Sequence, residues 1–71
     1  MTQRTESVDV FGDAIEIHYD GDMWVSPHNG QQHSDATDAM RSELTAYYLA
    51  GGDDPDLPEI AAEIEAYASQ V

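Results

Sequence analysis

The sequence predicts an α+β fold: a three-stranded antiparallel β-meander followed by two α-helices packed on one face of the sheet. Two patterns indicate this order. Apolar and polar residues alternate in the N-terminal third of the chain, which is typical of strands with one buried face. Further along, apolar residues recur three and four positions apart, which is typical of amphipathic helices. At 71 residues, the chain is expected to form a single domain.

The predicted strands are separated by turn pairs that contain glycine. Val8 and Val10 share one face of the first strand, and Gly12-Asp13 follows as a turn pair because glycine tolerates positive φ. Asp20-Gly21 is the strongest hairpin signal in the chain. Pro27 ends the third strand, since proline has no amide hydrogen to donate. The strands are therefore predicted over residues 6–11, 14–19 and 23–26.

A fourth strand is an open alternative. Asn29-Gly30 marks another turn, and the three residues from Gln31 to His33 form either a short edge strand or a loop. Both alternatives fit the pattern, and the prediction stays at three strands.

The second half of the chain carries signals for the start and end of two helices. The segment Ser34-Asp35-Ala36-Thr37-Asp38 offers several capping side chains, and Gly51-Gly52 ends the first helix. Asp56 followed by Glu59 resembles a capping box at the start of the second. The helices are predicted over residues 35–50 and 57–70, with inward stripes of Ala36, Met40, Leu44, Tyr47 and Tyr48, and of Ile60, Ala61, Ile64, Tyr67, Ala68 and Val71.

The net charge of the chain limits the kinds of partner that it can bind. The chain has 15 acidic residues, two arginines (Arg4 and Arg41) and no lysine, giving a formal net charge of -13. Such a surface repels nucleic acid and anionic lipid and attracts basic surfaces. The acidity is either a binding determinant or an adaptation to a high-salt cytoplasm, and both interpretations remain open here. A cytoplasmic monomer that binds neither membrane nor nucleic acid directly is expected.

No catalytic, cofactor or metal site is expected. The chain has no cysteine, so thiol chemistry and disulfides are excluded. His18, His28 and His33 do not match the spacing of a metal-ligand set. A calcium loop among Asp53, Asp54 and Asp56 would be interrupted by the prolines at positions 55 and 58. The chain is therefore predicted not to be an enzyme.

Trp24 has two possible placements. If Met23 and Val25 face the core, the two-residue period of a strand puts Trp24 on the opposite face with Glu16 and His18. An exposed tryptophan among carboxylates is a candidate interface anchor. The alternative is that the third strand has the reverse orientation or that the helices cover Trp24.

Two segments carry a resemblance to a known family. Tyr19-Asp20-Gly21-Asp22-Met23-Trp24-Val25 and Ser34-Asp35-Ala36-Thr37-Asp38-Ala39 resemble the strand-turn-strand-helix unit of HicB-type antitoxins. This resemblance covers about a third of the chain. It implies an antitoxin or a small interaction domain.

In size, charge and lack of a catalytic motif, the chain also resembles the small acidic inhibitors of phages and mobile elements that mimic DNA, such as anti-CRISPR proteins. This resemblance implies a basic DNA-binding groove as the target, for example that of the large Cas subunit that reads the protospacer-adjacent motif in a type I surveillance complex, in the cytoplasm of a host cell. Carboxylates two residues apart on a strand are separated by about 6.6 Å, a spacing of the order found along a phosphate track. The expected partner-binding residues are Asp9, Glu16, Asp20, Asp22, Trp24, Asp53, Asp54, Asp56, Glu59 and Glu63.

Overall fold

The computed structural model describes residues 4–71 and has the predicted α+β architecture, with one antiparallel sheet and two helices. The four strands follow one another across the sheet in chain order, as a meander. Both helices pack on one face of this sheet. The elements are β1 Arg4–Val10, β2 Asp13–Tyr19, β3 Trp24–Ser26, β4 Gln31–His33, α1 Ala36–Ala50 and α2 Pro58–Ala68.

The sheet has four strands and not three: of the two alternatives for Gln31–His33, the short edge strand is the one observed, and it pairs with β3 as β4. Pro27 lies outside the strands, so its missing amide hydrogen disturbs no pairing. Gly30 has a φ of 71° and donates its N–H to the carbonyl of Ser26 at 2.8 Å. The Asn29 side chain accepts from the N–H of Gln31 at 3.1 Å. The loop is therefore closed by hydrogen bonds, and the chain resumes pairing after it.

The β1–β2 hairpin turns one residue earlier than predicted. Phe11, expected as the last residue of the first strand, lies with Gly12 in a two-residue turn between Val10 and Asp13. Both turn residues have positive φ, 52° for Phe11 and 85° for Gly12. This geometry matches the right-handed twist of the flanking strands. A left-handed conformation costs a residue other than glycine about 1–2 kcal/mol, so Phe11 occupies this position against its local preference.

The third strand has the opposite orientation to the one that places Met23 and Val25 inward. Val25 pairs with His18 on the outer face of the sheet, and Trp24 pairs with Tyr19 on the core face. Trp24 is only 7% exposed, and its ring lies 5.1 Å from that of Tyr19. Burying an indole removes more apolar surface from water than burying a valine does. Trp24 as an exposed interface anchor is therefore a wrong prediction.

The core lies between the sheet and the two helices, and the predicted helical stripes are confirmed except at two positions of the second: Ala61 is not part of the core, and Val71 packs on it from beyond the end of α2. The opposite face of the sheet is open and carries mostly small and polar side chains, among them Thr5, Ser7 and Ala14. The buried apolar residues are Val8, Val10, Ile15, Ile17, Trp24, Ala39, Met40, Leu44, Tyr48, Ile64 and Ala68.

The N-termini of the two helices are stabilised in different ways. Asp35 caps α1, accepting from the N–H of Thr37 at 3.3 Å. The capping box predicted for the second helix does not form, because Leu57 occupies the cap position without a side-chain hydrogen bond and Pro58 begins α2. Proline suits this first turn, where an amide hydrogen would have no helical acceptor. Within residues 4–71, neither helix has the length and apolar character needed to cross a membrane.

Candidate functional site

One end of the molecule combines the β1–β2 turn, the last turn of α1, the connecting segment 51–57 and the first two turns of α2. We name this region the hairpin end. The hydroxyl of Tyr47 donates to Asp13 Oδ2 at 2.9 Å, which joins α1 to the start of β2. The hydroxyl of Tyr48 donates to Glu63 at 3.2 Å, which joins α1 to α2. These bonds place the end of α1 beside both the hairpin and the beginning of α2.

The hairpin end is rich in carboxylates that form no ion pair within the described part of the chain. Arg41 binds Asp38 and Glu65 on the flank of the two helices. Arg4 lies at the opposite end of the sheet, 3.6 Å from Glu6 and 5.5 Å from the centre of the Trp24 ring. Both arginines of the chain are therefore engaged away from this region. The carboxylates of the hairpin end are Asp13, Asp53, Asp54, Asp56, Glu59 and Glu63.

The Arg41 ion pairs join the two helices. Its Nη1 donates to Asp38 at 2.5 Å, and its Nη2 donates to Glu65 Oε1 at 3.1 Å. The hydrogen bond from Arg41 lowers the pKa of the Glu65 carboxyl. Because the guanidinium is shared by two carboxylates, it is not available to neutralise the hairpin end.

A shallow cleft of about 290 Å³ lies between aromatic rings at the hairpin end. The rings of Phe11 and Tyr48 meet edge to face at 6.4 Å, and those of Tyr47 and Tyr48 do so at 5.6 Å. The hydrogen bond to Asp13 is the main cause that raises the pKa of Tyr47. Burial, followed by the hydrogen bond to Glu63, raises the pKa of Tyr48 to about 12. Both phenols are therefore neutral donors at physiological pH.

The exposed large apolar side chains of the described residues also lie at this end. Phe11 is 73% exposed, Leu49 57% and Leu57 45%. They come from three different parts of the chain: the hairpin turn, the last turn of α1 and the residue before α2. Phe11 lines the aromatic cleft, whereas Leu49 lines a separate depression between β4 and α1. Exposed apolar side chains with a polar rim are typical of protein-binding surfaces.

The structure brings five of the expected partner-binding carboxylates together and separates the other four. Asp53, Asp54, Asp56, Glu59 and Glu63 all lie at the hairpin end. Glu63 is half-buried against Tyr48, from whose hydroxyl it accepts a hydrogen bond.

The remaining four carboxylates lie in two other places. Asp9 and Glu16 are diagonal neighbours on the open face of the sheet. Asp20 and Asp22 lie in the β2–β3 turn, at the far end of β2. Since a strand rises about 3.3 Å per residue, this turn is about 20 Å from Asp13. The ten expected residues therefore do not form one continuous track, and Trp24 belongs to the core.

Asp20 has a structural task in its turn. Its Oδ1 accepts from the N–H of Met23 at 2.8 Å and from that of Asp22 at 2.9 Å. These two bonds, that of Met23 first, lower the pKa of the Asp20 carboxyl. The Asp20 carboxylate therefore stabilises the backbone of its own turn.

Glu43 is the polar residue that sequence reasoning missed. It is 7% exposed, and its Oε1 accepts from the hydroxyl of Ser26 at 2.6 Å and from the N–H of His28 at 2.9 Å. Nδ1 of His28 lies 3.3 Å from its other oxygen. The position of Glu43, three residues after Met40 on the inward stripe, could have revealed its burial.

A serine, a histidine and a glutamate in contact invite comparison with a catalytic triad. Nucleophilic catalysis needs the serine hydroxyl next to the base, which the acid in turn orients. Here the hydroxyl of Ser26 donates to Glu43 instead, and Ser26 is fully buried. The arrangement anchors the β3–β4 hairpin to α1 and offers no nucleophile.

The hairpin end also contains residues that the sequence did not single out. Asp13, Phe11 and Tyr47 were assigned to a turn, a strand and the helix packing, respectively. The one available signal was an aromatic residue directly before glycine between two alternating segments. Among residues 4–71, no group of three or more histidine, aspartate or glutamate side chains is arranged to hold a metal ion.

A second depression, of about 470 Å³, lies between β4 and α1. Its charged residues are Arg41 and Asp38, which bind each other at 2.5 Å. Because these charges are already paired, the depression has less to offer a charged partner than the hairpin end.

Comparison of the chain with models of protein families, with curated proteins and with solved structures gives no match. The surface itself is therefore the basis for a functional proposal.

Proposed function

We propose that this chain is a non-enzymatic binding protein that presents its hairpin end to a basic, DNA-binding groove of another protein and thereby excludes DNA. One observation carries the proposal. Uncompensated carboxylates and exposed apolar side chains coincide at the same end, whereas both arginines are bound elsewhere.

The charges supply long-range attraction and competition with DNA. A groove that binds duplex DNA is lined by lysine and arginine. Six carboxylates on a folded frame offer such a groove fixed negative charges without the deformability of a nucleic acid. Charge pairs of this kind speed association and weaken as salt rises, because exposed charges are screened over about 8–10 Å near physiological ionic strength.

The exposed apolar side chains add a short-range contribution to binding that charge alone does not provide. Phe11, Leu49 and Leu57 can be buried on contact, which favours a lasting complex over a transient encounter. Acidity that served hydration only would not require large apolar side chains to be exposed among the carboxylates. Their coincidence supports a binding role.

The proposed target is the groove of a type I CRISPR surveillance complex that reads the protospacer-adjacent motif, as the resemblance to acidic DNA mimics implies. The test is fluorescence anisotropy of a labelled duplex that contains the motif, bound to the purified complex and titrated with this protein. We expect the duplex to be displaced, with a competition constant that weakens steeply as salt rises. An unchanged anisotropy at excess protein and low salt would rule out this target.

A second candidate is a small HicB-like interaction domain from a salt-adapted organism. It is favoured by Asp9, Glu16 and Asp22, which are exposed outside the hairpin end and make no ion pair within residues 4–71. The resemblance itself is weakened because β4 lies between the second strand of the unit and α1. Thermal unfolding at low and at molar potassium chloride separates the two. A halophilic domain gains strongly in melting temperature from molar salt, whereas the proposed inhibitor is folded without it.

A further inference from the structure

The aromatic cleft at the hairpin end has features that neither core packing nor hydration requires. Phe11 is the one residue other than glycine with positive φ among residues 4–71. In a two-residue turn of this type, asparagine and glycine are the favoured residues. A phenylalanine there is locally unfavourable, and most of its ring is in solvent. A phenylalanine at this position therefore indicates that its exposed ring contacts a binding partner.

The surroundings of that ring specify the chemistry of an occupant. The cleft is walled by the rings of Phe11, Tyr47 and Tyr48. Gly51 and Asp53 also line the cleft. Asp13 is not one of the lining residues, but it accepts the hydrogen bond from the Tyr47 hydroxyl.

Aromatic faces and carboxylates both attract cations. The chain's two arginines are bound elsewhere, and no cationic side chain of residues 4–71 lines the cleft. A flat guanidinium stacks on aromatic rings and also forms two parallel hydrogen bonds to one carboxylate. An ammonium group does both less well.

We propose that this cleft receives an arginine side chain of the partner protein, with the guanidinium against the rings of Phe11 and Tyr47 and paired to Asp53. The proposal rests on the proposed function in one respect: the arginine belongs to the same basic groove. The cleft proposal adds one specific side-chain contact to the general attraction between the carboxylates and the basic groove.

The experiment uses the intact chain and small probes. Amide and aromatic NMR shifts are followed during titration with N-acetyl-arginine amide, and separately with N-acetyl-citrulline amide, which has the same shape without the charge. We expect saturable shifts confined to Phe11, Tyr47, Tyr48 and residues 50–53 with the arginine probe alone. Equal shifts with citrulline, or shifts spread over all carboxylates, would overturn the proposal.

Variants separate the ring from the charge. Phe11→Asn keeps the positive φ of the turn while removing the ring, and we expect it to weaken arginine binding about two- to fivefold. Asp53→Asn is expected to weaken it by at least as much. Asp22→Asn, which neutralises an exposed carboxylate in the β2–β3 turn at the far end of the sheet, is the matched control and leaves binding unchanged. Unchanged binding in Phe11→Asn would contradict the assignment.

Two further readings identify the occupant and separate this proposal from the previous one. N-acetyl-lysine amide that binds as tightly as the arginine probe would overturn the assignment of arginine. A protein that displaces DNA from the complex but gives no arginine shifts would overturn the cleft proposal alone. One that shows the arginine shifts but never displaces DNA would leave the cleft proposal in place and overturn the proposed inhibition of this complex.

Discussion

The hydroxyl of Ser26 donates a 2.6 Å hydrogen bond to Glu43, and both side chains are buried between the sheet and α1. Glu43 also accepts from the N–H of His28 at 2.9 Å. One carboxylate thus joins the end of β3, the following loop and the middle of α1. The charge is tolerated because donors surround it, and removing it would leave them buried without an acceptor.

We expect Glu43→Ala to lower the free energy of unfolding by about 1–3 kcal/mol, because it leaves the donors of Ser26 and His28 unsatisfied. Glu16→Ala, on the open face of the sheet, is the control and should change it by no more than about 0.5 kcal/mol. Urea unfolding of both variants makes the comparison. A Glu43→Ala protein as stable as the control would show that this carboxylate does not hold the hairpin to α1.

Trp24 is expected to report on the core. It is the only tryptophan in the chain, and it is 7% exposed. Its fluorescence should be blue-shifted and poorly quenched by acrylamide in the folded protein, and both properties should be lost in urea. Trp24→Ala should cost about 3–5 kcal/mol of stability through the cavity that it leaves. Red-shifted, readily quenched emission before unfolding would place the ring in solvent.

Tyr48 gives a prediction at alkaline pH. Its pKa is raised from 10.0 to about 12, chiefly by burial, so the folded state retains the phenolic proton longer than the unfolded state does. The resulting stabilisation is present below about pH 10 and is lost as the pH rises towards about 12. The ultraviolet absorbance of tyrosinate follows this titration, with Tyr48→Phe as the reference.

Glu63→Gln provides the second arm of the titration. It removes the charge that faces the Tyr48 hydroxyl and should lower the pKa of Tyr48, which stays above the ordinary value because burial is the larger cause. If Tyr48 titrates at the ordinary value in the unsubstituted protein, its ring is not buried as described.

The hairpin turn predicts an unusual effect of substitution. Phe11→Asn should leave the melting temperature unchanged or raise it, because asparagine tolerates the positive φ of 52° better than phenylalanine does. Phe11→Ala removes the same ring without relieving the backbone, so it should melt below Phe11→Asn. A clear drop in the melting temperature of Phe11→Asn would mean that the ring is needed for packing on Tyr48, and its exposure would then have no functional meaning.

The spacing of the apolar residues and the residue types at the turns were sufficient to predict the meander, both helices and most positions of their inward stripes. They failed at β3, where a strand of three residues has too few positions for alternation to fix its orientation. Here the burial of Trp24 decides which face is inward. They left β4 open, because three residues after a turn are too few to distinguish a short edge strand from a loop.

The candidate site was predicted only in part for a related reason. Carboxylates that are near one another in sequence, from Asp53 to Glu63, also proved near one another in space. Asp13 and Phe11 join them only because α1 runs back along β2, which local patterns do not reveal. Asp20 and Asp22 lie at the other end of the sheet because the whole length of β2 separates their turn from Asp13.

The most direct test of the account compares two charge reversals of equal size. Asp56→Lys with Glu59→Lys alters the hairpin end, and Glu16→Lys with Asp22→Lys alters exposed sites elsewhere; thermal melting confirms that each protein is folded. The measurement is displacement of duplex DNA from the surveillance complex at one fixed salt concentration. We expect the first pair to lose displacement and the second to lose much less, since only the first removes charge from the proposed contact. Equal losses would show that net charge acts without regard to place, and would contradict the assignment of function to the hairpin end.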